Sequence, residues 1–309
     1  MMDAIDIAGL LRPVQAAVEA AGELIIREWE REGGPRGSGD KAAVDEEIER
    51  LLYDQLIGLL DADFWGEETC QRLTGQRFCW VVDPHDGTRD FLLGLQGSAI
   101  SVALLRDGQP VLGVVYAPIS PDRGRDCIAW AEGLPHLLRN GAAHPVDLSN
   151  ARLEAGKIVW LSAAASRKPD ANIRLCEPAR FVAMPSIAYR LARAAAGDGV
   201  AAGSLTSLSA HDVAAGHALL IGAGGVLLNQ SGRPLGYRNM ELVCTRCFGG
   251  GPAACAALAG RPWSQALNER NDEQRNIPAP AVFPPVLKLQ RAFGCLAALI
   301  IGDNLGAQV

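Results

Sequence analysis

Residues 98–116 carry two apolar runs separated by a short turn. SAISVALL (98–105) and PVLGVVY (110–116) lie on either side of Asp107-Gly108, a dipeptide typical of hairpin turns, so we predict a pair of antiparallel strands. Helical and strand patterns alternate along the rest of the chain without a strict βαβ repeat. This alternation predicts a layered α/β or α+β fold.

Helices are predicted where apolar residues recur at a spacing of three or four. These segments are about 5–30, 44–60, 186–196, 213–222 and 251–260. Short apolar runs predict further strands at FCWVV (78–82), IVWLS (158–162), GVAAG (199–203) and GGVLLN (224–229). We therefore expect one compact domain over residues 1–263, followed by a polar, proline-rich linker over 264–287.

Charge and hydropathy exclude several classes of protein. The formal net charge of −6 leaves no basic surplus for binding a nucleic-acid polymer. We expect neither a signal peptide nor a membrane span, and hence a cytoplasmic protein. The eight cysteines lie in apolar contexts that suit reduced thiols. We interpret the CxxC formed by Cys244 and Cys247 as a strand end, because no second pair of ligands lies at zinc-like spacing.

The segment DPHDGTRDF at 83–91 follows the apolar strand FCWVV and allows two interpretations. Aspartate, proline and glycine are turn formers, so the segment could simply end the strand. Alternatively, the carboxylates of Asp83 and Asp86 could hold hard cations, while the amides of Gly87 and Thr88 hold an anion.

Three further acidic residues also allow both a structural and a metal-binding interpretation. Taken singly, Glu67 could lie on a solvated loop, Asp212 could cap a helix, and Asp45 could complement a helix dipole. If carboxylates such as Glu67 and Asp212 met those of Asp83 and Asp86, they would repel one another and their pKa values would rise. Cations would stabilise such a cluster, and two Mg²⁺ ions about 3.5–4 Å apart can clamp a phosphoryl group during displacement.

Three segments in order resemble the motifs of a known family. GEE (66–68), DPHDGTRDF (83–91) and HDVAAG (211–216) are similar to the GEE, DPIDGTxxF and WDxAAG motifs of the inositol monophosphatase family, which are lithium-sensitive, Mg²⁺-dependent phosphatases. The resemblance extends from residue 5 to about 263. It implies an αβαβα layered sandwich, two or three Mg²⁺ ions, hydrolysis of a small phosphate ester by attack of an activated water on phosphorus, and a homodimer.

The resemblance also implies a role for each matching residue. The implied metal ligands are the side chains of Glu67, Asp83, Asp86 and Asp212 and the carbonyl of His85. Thr88, with Asp45 behind it, would orient and deprotonate the attacking water, which Glu67 would share. The implied substrate-binding residues are Gly87, Thr88, Arg89 and Asp212.

Two histidines depart from the family pattern. His85 replaces an aliphatic residue, which we expect to be tolerated because the implied ligand there is a carbonyl. His211 replaces tryptophan, and we expect it to pack or cap rather than to catalyse.

The substrate stays open between branches of the family. Inositol monophosphatases tend to carry a carboxylate about seven residues before Asp212, where this chain has Leu205, with Thr206 and Ser207 beside it. Arg89 resembles the basic residue that many 3′(2′),5′-bisphosphate nucleotidases carry after the threonine, although it could equally be a solvated arginine. A module that senses a phosphorylated metabolite without turnover is the non-enzymatic alternative.

Residues 288–309, KLQRAFGCLAALIIGDNLGAQV, resemble the opening helix of ADP-ribosylglycohydrolases. The alternative is an amphipathic helix that docks on the first domain. A fused or docked domain of that family would favour an ADP-ribose-related phosphate ester as the substrate.

Overall fold

Two large sheets and the helices around them make up the fold in this computed structural model, which describes residues 5–237, 244 and 246–268. The strands are β1 Gly37–Ser38, β2 Lys41–Ala42, β3 Asp63–Gly66, β4 Gln71–Arg72, β5 Phe78–Asp86, β6 Ala99–Arg106, β7 Gln109–Ser120, β8 Gly124–Ala131, β9 Leu137–Arg139, β10 Ala142–His144, β11 Ile158–Leu161, β12 Arg180–Ala183, β13 Ala201–Ser204, β14 Val226–Asn229 and β15 Cys247–Gly250. The helices are α1 Ile7–Trp29, α2 Ala43–Leu59, α3 Thr88–Leu92, α4 Pro169–Cys176, α5 Ile187–Ala195, α6 Ala210–Gly222, α7 Pro252–Ala259 and α8 Trp263–Asn268, and a 3₁₀ helix spans Ala163–Arg167.

The larger sheet has eight strands in the order β10-β9-β8-β7-β6-β5-β3-β4. Its neighbours are antiparallel except for β3 and β5, which run parallel. The predicted hairpin is confirmed as β6 and β7, paired from Ile100 opposite Tyr116 to Arg106 opposite Gln109. Both turn residues, Asp107 and Gly108, have positive φ, as a tight hairpin turn requires.

Both faces of this sheet are buried. On β6, Ala103 and Leu105 lie in a core cluster that includes residues of α5 and α6. The alternate residues Val102 and Leu104 lie in a second cluster with α1 and α2. Because side chains alternate along a strand, a run that is apolar at every position is suited to a sheet covered on both sides.

The smaller sheet has five strands in the order β12-β11-β13-β15-β14. Helices α5 and α6 lie between the two sheets, and α4 and α7 cover the other face of the smaller sheet. The layers are therefore α1 and α2, the large sheet, α5 and α6, the small sheet, and α4 and α7. This arrangement confirms the predicted αβαβα sandwich.

Several elements differ from the sequence prediction or extend it. The pattern did not identify β8, β12 or β15, because the first begins with polar residues and the other two are short. Helix α8 contains the first residues of the predicted linker. The rest of that linker and the ADP-ribosylglycohydrolase-like segment 288–309 lie outside the described residues and stay predictions.

The remaining sequence predictions concern membranes and thiols. Among the described residues, no helix is long and apolar enough to cross a membrane. The described cysteines are free, and Cys247 begins strand β15, as the strand-end interpretation of the CxxC predicted. The thiol of Cys244 donates to the carbonyl oxygen of Arg246 over 2.8 Å.

Candidate active site

Three carboxylates converge where strand β5 ends and helix α6 begins. Asp83 and Asp86 are among the last residues of β5, and Asp212 lies in the first turn of α6. One carboxylate oxygen from each lies within 4.8 Å of the others. The packing of α6 against β5 and β6 brings the two segments together, although they are more than a hundred residues apart in the sequence.

The end of β5 is shaped by its own polar groups. The carboxylate of Asp83 accepts a hydrogen bond from the backbone N–H of His85 over 2.8 Å, and the pairing of β5 with β6 shifts register between Asp83 and Asp86. Gly87 follows with a φ of 93°, a left-handed conformation that glycine adopts at little cost. The chain then turns directly into α3.

Glu67 joins the cluster from the neighbouring strand. Strand β3 runs parallel to β5, with Gly66 opposite Val82, so the residue after β3 lies beside Asp83. The carboxyl group of Glu67 lies close enough to that of Asp83 for a hydrogen bond when one of the two is protonated. Although Glu67 as a residue is exposed, desolvation of its carboxyl group, with repulsion from Asp86, raises its pKa to about 7.

Burial also raises the pKa values of the other three carboxyl groups. Burial is the largest cause for each of them, and it places the pKa of Asp83 well above its usual range. Burial and repulsion from Asp86 raise the pKa of Asp212 to about 7. Crowded carboxylates of this kind fit a hard divalent cation such as Mg²⁺, which prefers carboxylate and carbonyl oxygens.

A hydroxyl and a second buried carboxylate lie beside the cluster. The hydroxyl of Thr88 donates to the carbonyl oxygen of His85, 2.6 Å away, and has Oδ2 of Asp45 within 3.3 Å. Oδ2 of Asp45 also accepts from the backbone N–H of Ala42 over 2.9 Å, so this carboxylate closes the first turn of α2 as well. The helix-start and functional interpretations of Asp45 are therefore compatible.

The side chain of His85 is buried and that of His211 is half-buried, and each ring packs edge-on against an aromatic ring, which is Phe91 for His85. The imidazole of His85 has one nitrogen 2.8 Å from Oδ1 of Asp45 and the other 3.0 Å from the hydroxyl oxygen of Ser98. Burial lowers the pKa of His211 to about 4, and its ring packs edge-on against Trp65 at 5.5 Å. The packing role predicted for His211 is the one it has in the structure.

A cleft of about 560 Å³ opens beside the carboxylates. Of the residues predicted to bind substrate, Gly87, Arg89 and Asp212 line it, and the hydroxyl of Thr88 faces Asp45 instead. Thr206 and Ser207 line another part of the cleft. The structure therefore brings every predicted site residue to one place, while their roles stay predictions.

Sequence analysis missed the residues that hold Asp86. Oδ2 of Asp86 accepts from the hydroxyl of Ser186 over 2.5 Å and from the backbone N–H of Ala188 over 2.6 Å. The Ser186 hydroxyl oxygen also accepts from the backbone N–H of Tyr189 over 2.9 Å. A serine just before a helical pattern is an N-cap signal, so this position was identifiable as a helix start but not as a partner of Asp86.

Glu49 is a second residue that sequence analysis missed. Its buried carboxylate accepts hydrogen bonds from the backbone N–H groups of Glu68, Thr69 and Cys70, over 2.8, 2.6 and 2.6 Å. These bonds fix the loop that carries Glu67. No local signal in the sequence distinguishes Glu49 from the other acidic residues of α2.

Comparisons with known proteins agree with this geometry. The model of the inositol monophosphatase family matches residues 8–261. The chain is 29% identical to the probable inositol 1-monophosphatase ImpA of Mycobacterium tuberculosis over 272 residues, which is 83% of this chain and 91% of that protein. It is 28% identical to the 3′(2′),5′-bisphosphate nucleotidase CysQ of Shigella flexneri, over 62% of this chain and 74% of that protein.

Solved structures share the fold at lower identity. The IMPase of Thermotoga maritima aligns with a TM-score of 0.67 and 21% identity, over 82% of this chain and 95% of that one. This likeness supports the architecture, and the match to the family model extends across the layers that carry the carboxylates. The chain belongs to the inositol monophosphatase family and is a phosphoric monoester hydrolase.

Proposed function

We propose that this chain is a Mg²⁺-dependent phosphomonoesterase that acts on a small phosphorylated metabolite. The observation that carries the proposal is the convergence of Asp83, Asp86 and Asp212 to within 4.8 Å beside an open cleft. Repulsion among four crowded carboxyl groups destabilises the folded protein when no cation is bound. Bound cations remove that repulsion, because carboxylate oxygens are the ligands that Mg²⁺ prefers.

The proposed ligands of two or three Mg²⁺ ions are the side chains of Glu67, Asp83, Asp86 and Asp212 and the carbonyl oxygen of His85. Mg²⁺ bound there would neutralise the carboxylates, polarise the phosphate group and activate the attacking water. Asp86 is held for this role by Ser186 and Ala188, and Asp212 by the backbone N–H of Ser209 over 2.5 Å.

Thr88 and Asp45 are the proposed pair that removes a proton from the attacking water. The Thr88 hydroxyl accepts that proton as it passes its own to Oδ2 of Asp45, which lies 3.3 Å away. The hydrogen bonds that the Asp45 carboxylate accepts from Ala42 and His85 keep it in place while Thr88 turns towards it. Glu67 orients the same water from the side of Asp83.

The turn after β5 is the proposed phosphate site. Gly87 lines the cleft in a left-handed conformation, and the backbone N–H groups of Gly87 and Thr88 lie at the entry to α3. Backbone amides at such turns hold anions well. Arg89 and Asp212 would contact the rest of the substrate, since both line the same cleft.

Two substrate classes remain in the proposal. An inositol monophosphate-like metabolite follows from the likeness to ImpA, and a 3′(2′),5′-bisphosphate from the likeness to CysQ. The sequence-based prediction of an ADP-ribose-related ester depends on residues 288–309, outside the described part of the chain. The predicted homodimer also stays a prediction.

The test is phosphate release from a panel of esters with Mg²⁺, in the presence and absence of lithium. The panel contains inositol 1-phosphate, 3′-phosphoadenosine 5′-phosphate, histidinol phosphate and an ADP-ribose phosphate. We expect release that requires Mg²⁺, is inhibited by lithium and is lost in Asp83→Asn, while Asp170→Asn on the exposed surface of α4 behaves as the wild type. Tight binding without release from any ester would favour the sensing module.

A further inference from the structure

The first turn of helix α5 holds Asp86. Oδ2 of Asp86 accepts from the hydroxyl of Ser186 over 2.5 Å and from the backbone N–H of Ala188 over 2.6 Å. Two donors on one oxygen fix the rotation of a carboxylate, and hydrogen bonds of this kind orient the ligands of metal sites. The direction in which Asp86 faces the acidic cluster therefore depends on where α5 begins.

A short link, residues 184–186, joins strand β12 to α5. At its start, the backbone N–H of Met184 donates to the carbonyl oxygen of Leu161 over 2.8 Å, which ties the link to the smaller sheet. At its end, Ser186 is fully buried, and a Cβ at Gly87 would lie 3.4 Å from its backbone nitrogen. The link therefore packs against the turn that is the proposed phosphate site.

Arg190 binds this link from the next turn of α5. Nη1 of Arg190 donates to the carbonyl oxygens of Met184 and Pro185 over 2.6 and 2.8 Å. Its backbone N–H donates to the carbonyl oxygen of Ser186 over 3.0 Å, as helix geometry requires. One residue thus donates to all three carbonyl groups of the link and holds the link against the start of the helix.

Stability alone gives little reason for an arginine at position 190. The residue is only 2% exposed, and its Nε has no hydrogen-bond partner among the described residues. Burial lowers the pKa of Arg190 to about 10, although the charges of Asp86 and Asp90 act in the opposite direction. Burial of a guanidinium group is costly. A role in supporting Asp86 accounts for a buried arginine here.

We propose that Arg190 is a positioning residue of the metal site, which clamps the link so that the first turn of α5 holds Asp86 in the orientation that binds a cation. The inference rests on the proposed function, because it takes Asp86 as a Mg²⁺ ligand. Arg190 also lines the cleft, so contact with the substrate is the competing role. A clamp changes Mg²⁺ affinity in the absence of substrate, whereas a substrate contact changes KM alone.

Calorimetric Mg²⁺ titration of the substrate-free protein tests the clamp. Arg190→Met removes the donors and keeps a long side chain, and we expect it to lower Mg²⁺ affinity about tenfold, as for other residues that orient metal ligands. Arg190→Lys keeps a buried charge without the planar N–H groups and should lower the affinity about threefold, which is informative even where Arg190→Met does not fold. With saturating Mg²⁺, KM for the ester should remain that of the wild type in both variants.

Arg193→Met is the matched control. Arg193 lies on the same helix and is equally buried, at 3% exposed, but its Nη1 and Nη2 each donate to the carboxylate of Asp122 over 2.9 Å. Asp122 lies in the turn between β7 and β8. We therefore expect Arg193→Met to lower the urea midpoint and to leave Mg²⁺ affinity within about twofold of the wild type. An equal loss of affinity in both methionine variants would mean a general loosening of α5 and would overturn the clamp.

A double-mutant cycle links the effect to the support of Asp86. Ser186→Ala removes the hydroxyl that donates to Asp86. If Arg190 acts through the link, Ser186→Ala combined with Arg190→Met should lower Mg²⁺ affinity little more than the more damaging of the two single variants. Losses that multiply would show that Arg190 acts on the metal site by another route.

The competing role has its own outcome, in which both Arg190 variants bind Mg²⁺ like the wild type and have a raised KM; that outcome rejects the clamp. Phosphate release from the same preparations separates this inference from the proposed function. Release by the wild type with unchanged Mg²⁺ affinity in the Arg190 variants keeps the phosphatase and rejects the clamp. Weakened Mg²⁺ binding in those variants without release by the wild type keeps the clamp and rejects the phosphatase.

Discussion

The imidazole of His85 is hydrogen-bonded to Asp45, with Nδ1 2.8 Å from Oδ1 of the carboxylate. With Asp45 ionised, the Nδ1–H group donates to it, and Nε2 accepts from the hydroxyl of Ser98 at 3.0 Å. His85 thus makes two separate contacts in the site. Its carbonyl oxygen accepts from the hydroxyl of Thr88, and its ring supports the Asp45 carboxylate behind Thr88. An aliphatic residue at position 85 would supply the carbonyl and leave Oδ1 of Asp45 without this donor.

His85→Leu should therefore weaken both stability and activity. When a buried carboxylate loses a hydrogen bond, the free energy of unfolding falls by about 1–3 kcal/mol. Loss of a supporting contact of this kind lowers activity about tenfold. Urea unfolding and phosphate release measure the two effects. His85→Asn is the control, because its amide N–H can replace Nδ1–H; equal losses in both variants would show that ring packing, not the hydrogen bond, matters.

Asp212→Asn should make the metal-free protein more stable and the enzyme inactive. The substitution removes one of the crowded charges but keeps an oxygen to accept from Ser209, so we expect a gain of about 1 kcal/mol in EDTA. Loss of a metal ligand should reduce phosphate release by about a hundredfold or more. Thermal unfolding in EDTA and in Mg²⁺ tests the first effect, and a loss of stability in EDTA would contradict it.

The metal-free protein should become less stable as the pH rises from about 4 to about 7. Glu67 and Asp212 have pKa values of about 7 in the folded protein, above the ordinary values of 4.5 and 3.8, so the folded state binds more protons than the unfolded chain in that interval. We expect the free energy of unfolding to fall by a few kcal/mol across it, which is less than the two shifts would give at about 1.4 kcal/mol per pKa unit, because Glu67 is exposed and solvent screens its charge.

Saturating Mg²⁺ is the comparison for this pH dependence. Bound cations favour the ionised carboxylates, so stability in Mg²⁺ should rise rather than fall over the same interval. Urea midpoints measured at several pH values, with EDTA or with Mg²⁺, separate the two curves. Parallel curves would mean that the cluster is not the metal site.

Local patterns in the sequence were sufficient to predict helices or strands in most of the layers. Helices α1 and α2 and the β6–β7 hairpin follow from periodicity and from one turn dipeptide, and their observed bounds differ from the predicted ones by a few residues. The resemblance of three ordered acidic motifs to those of a known family was sufficient to predict which carboxylates meet. Periodicity is a property of neighbouring residues, so it succeeds where structure is local.

The supporting contacts of the site are not local. Ser186 lies a hundred positions from Asp86, and His85 forty positions from Asp45. Nothing in the immediate surroundings of Arg190 indicates that its side chain is buried at a cleft. Such partners depend on how layers pack against one another, and a single sequence carries no pattern for that.

Gly66→Ala and Glu49→Gln should disturb the same loop in different ways. A Cβ at position 66 would lie 2.4 Å from Oε2 of Glu49, so the alanine must displace the carboxylate that accepts three backbone N–H groups of this loop. We expect Gly66→Ala to cost about 2–4 kcal/mol of stability and to lower Mg²⁺ affinity, because Glu67 moves with the loop.

Glu49→Gln keeps the shape of the side chain but not the charge that strengthens these hydrogen bonds, and should cost about 1–2 kcal/mol of stability. Gly58→Ala, where a Cβ meets no atom within 4 Å, is the matched control and should be neutral or slightly stabilising. Calorimetric Mg²⁺ titration measures the affinity of the three variants, and urea unfolding measures their stability. If Gly66→Ala bound Mg²⁺ as tightly as the wild type, the position of Glu67 would not depend on Glu49.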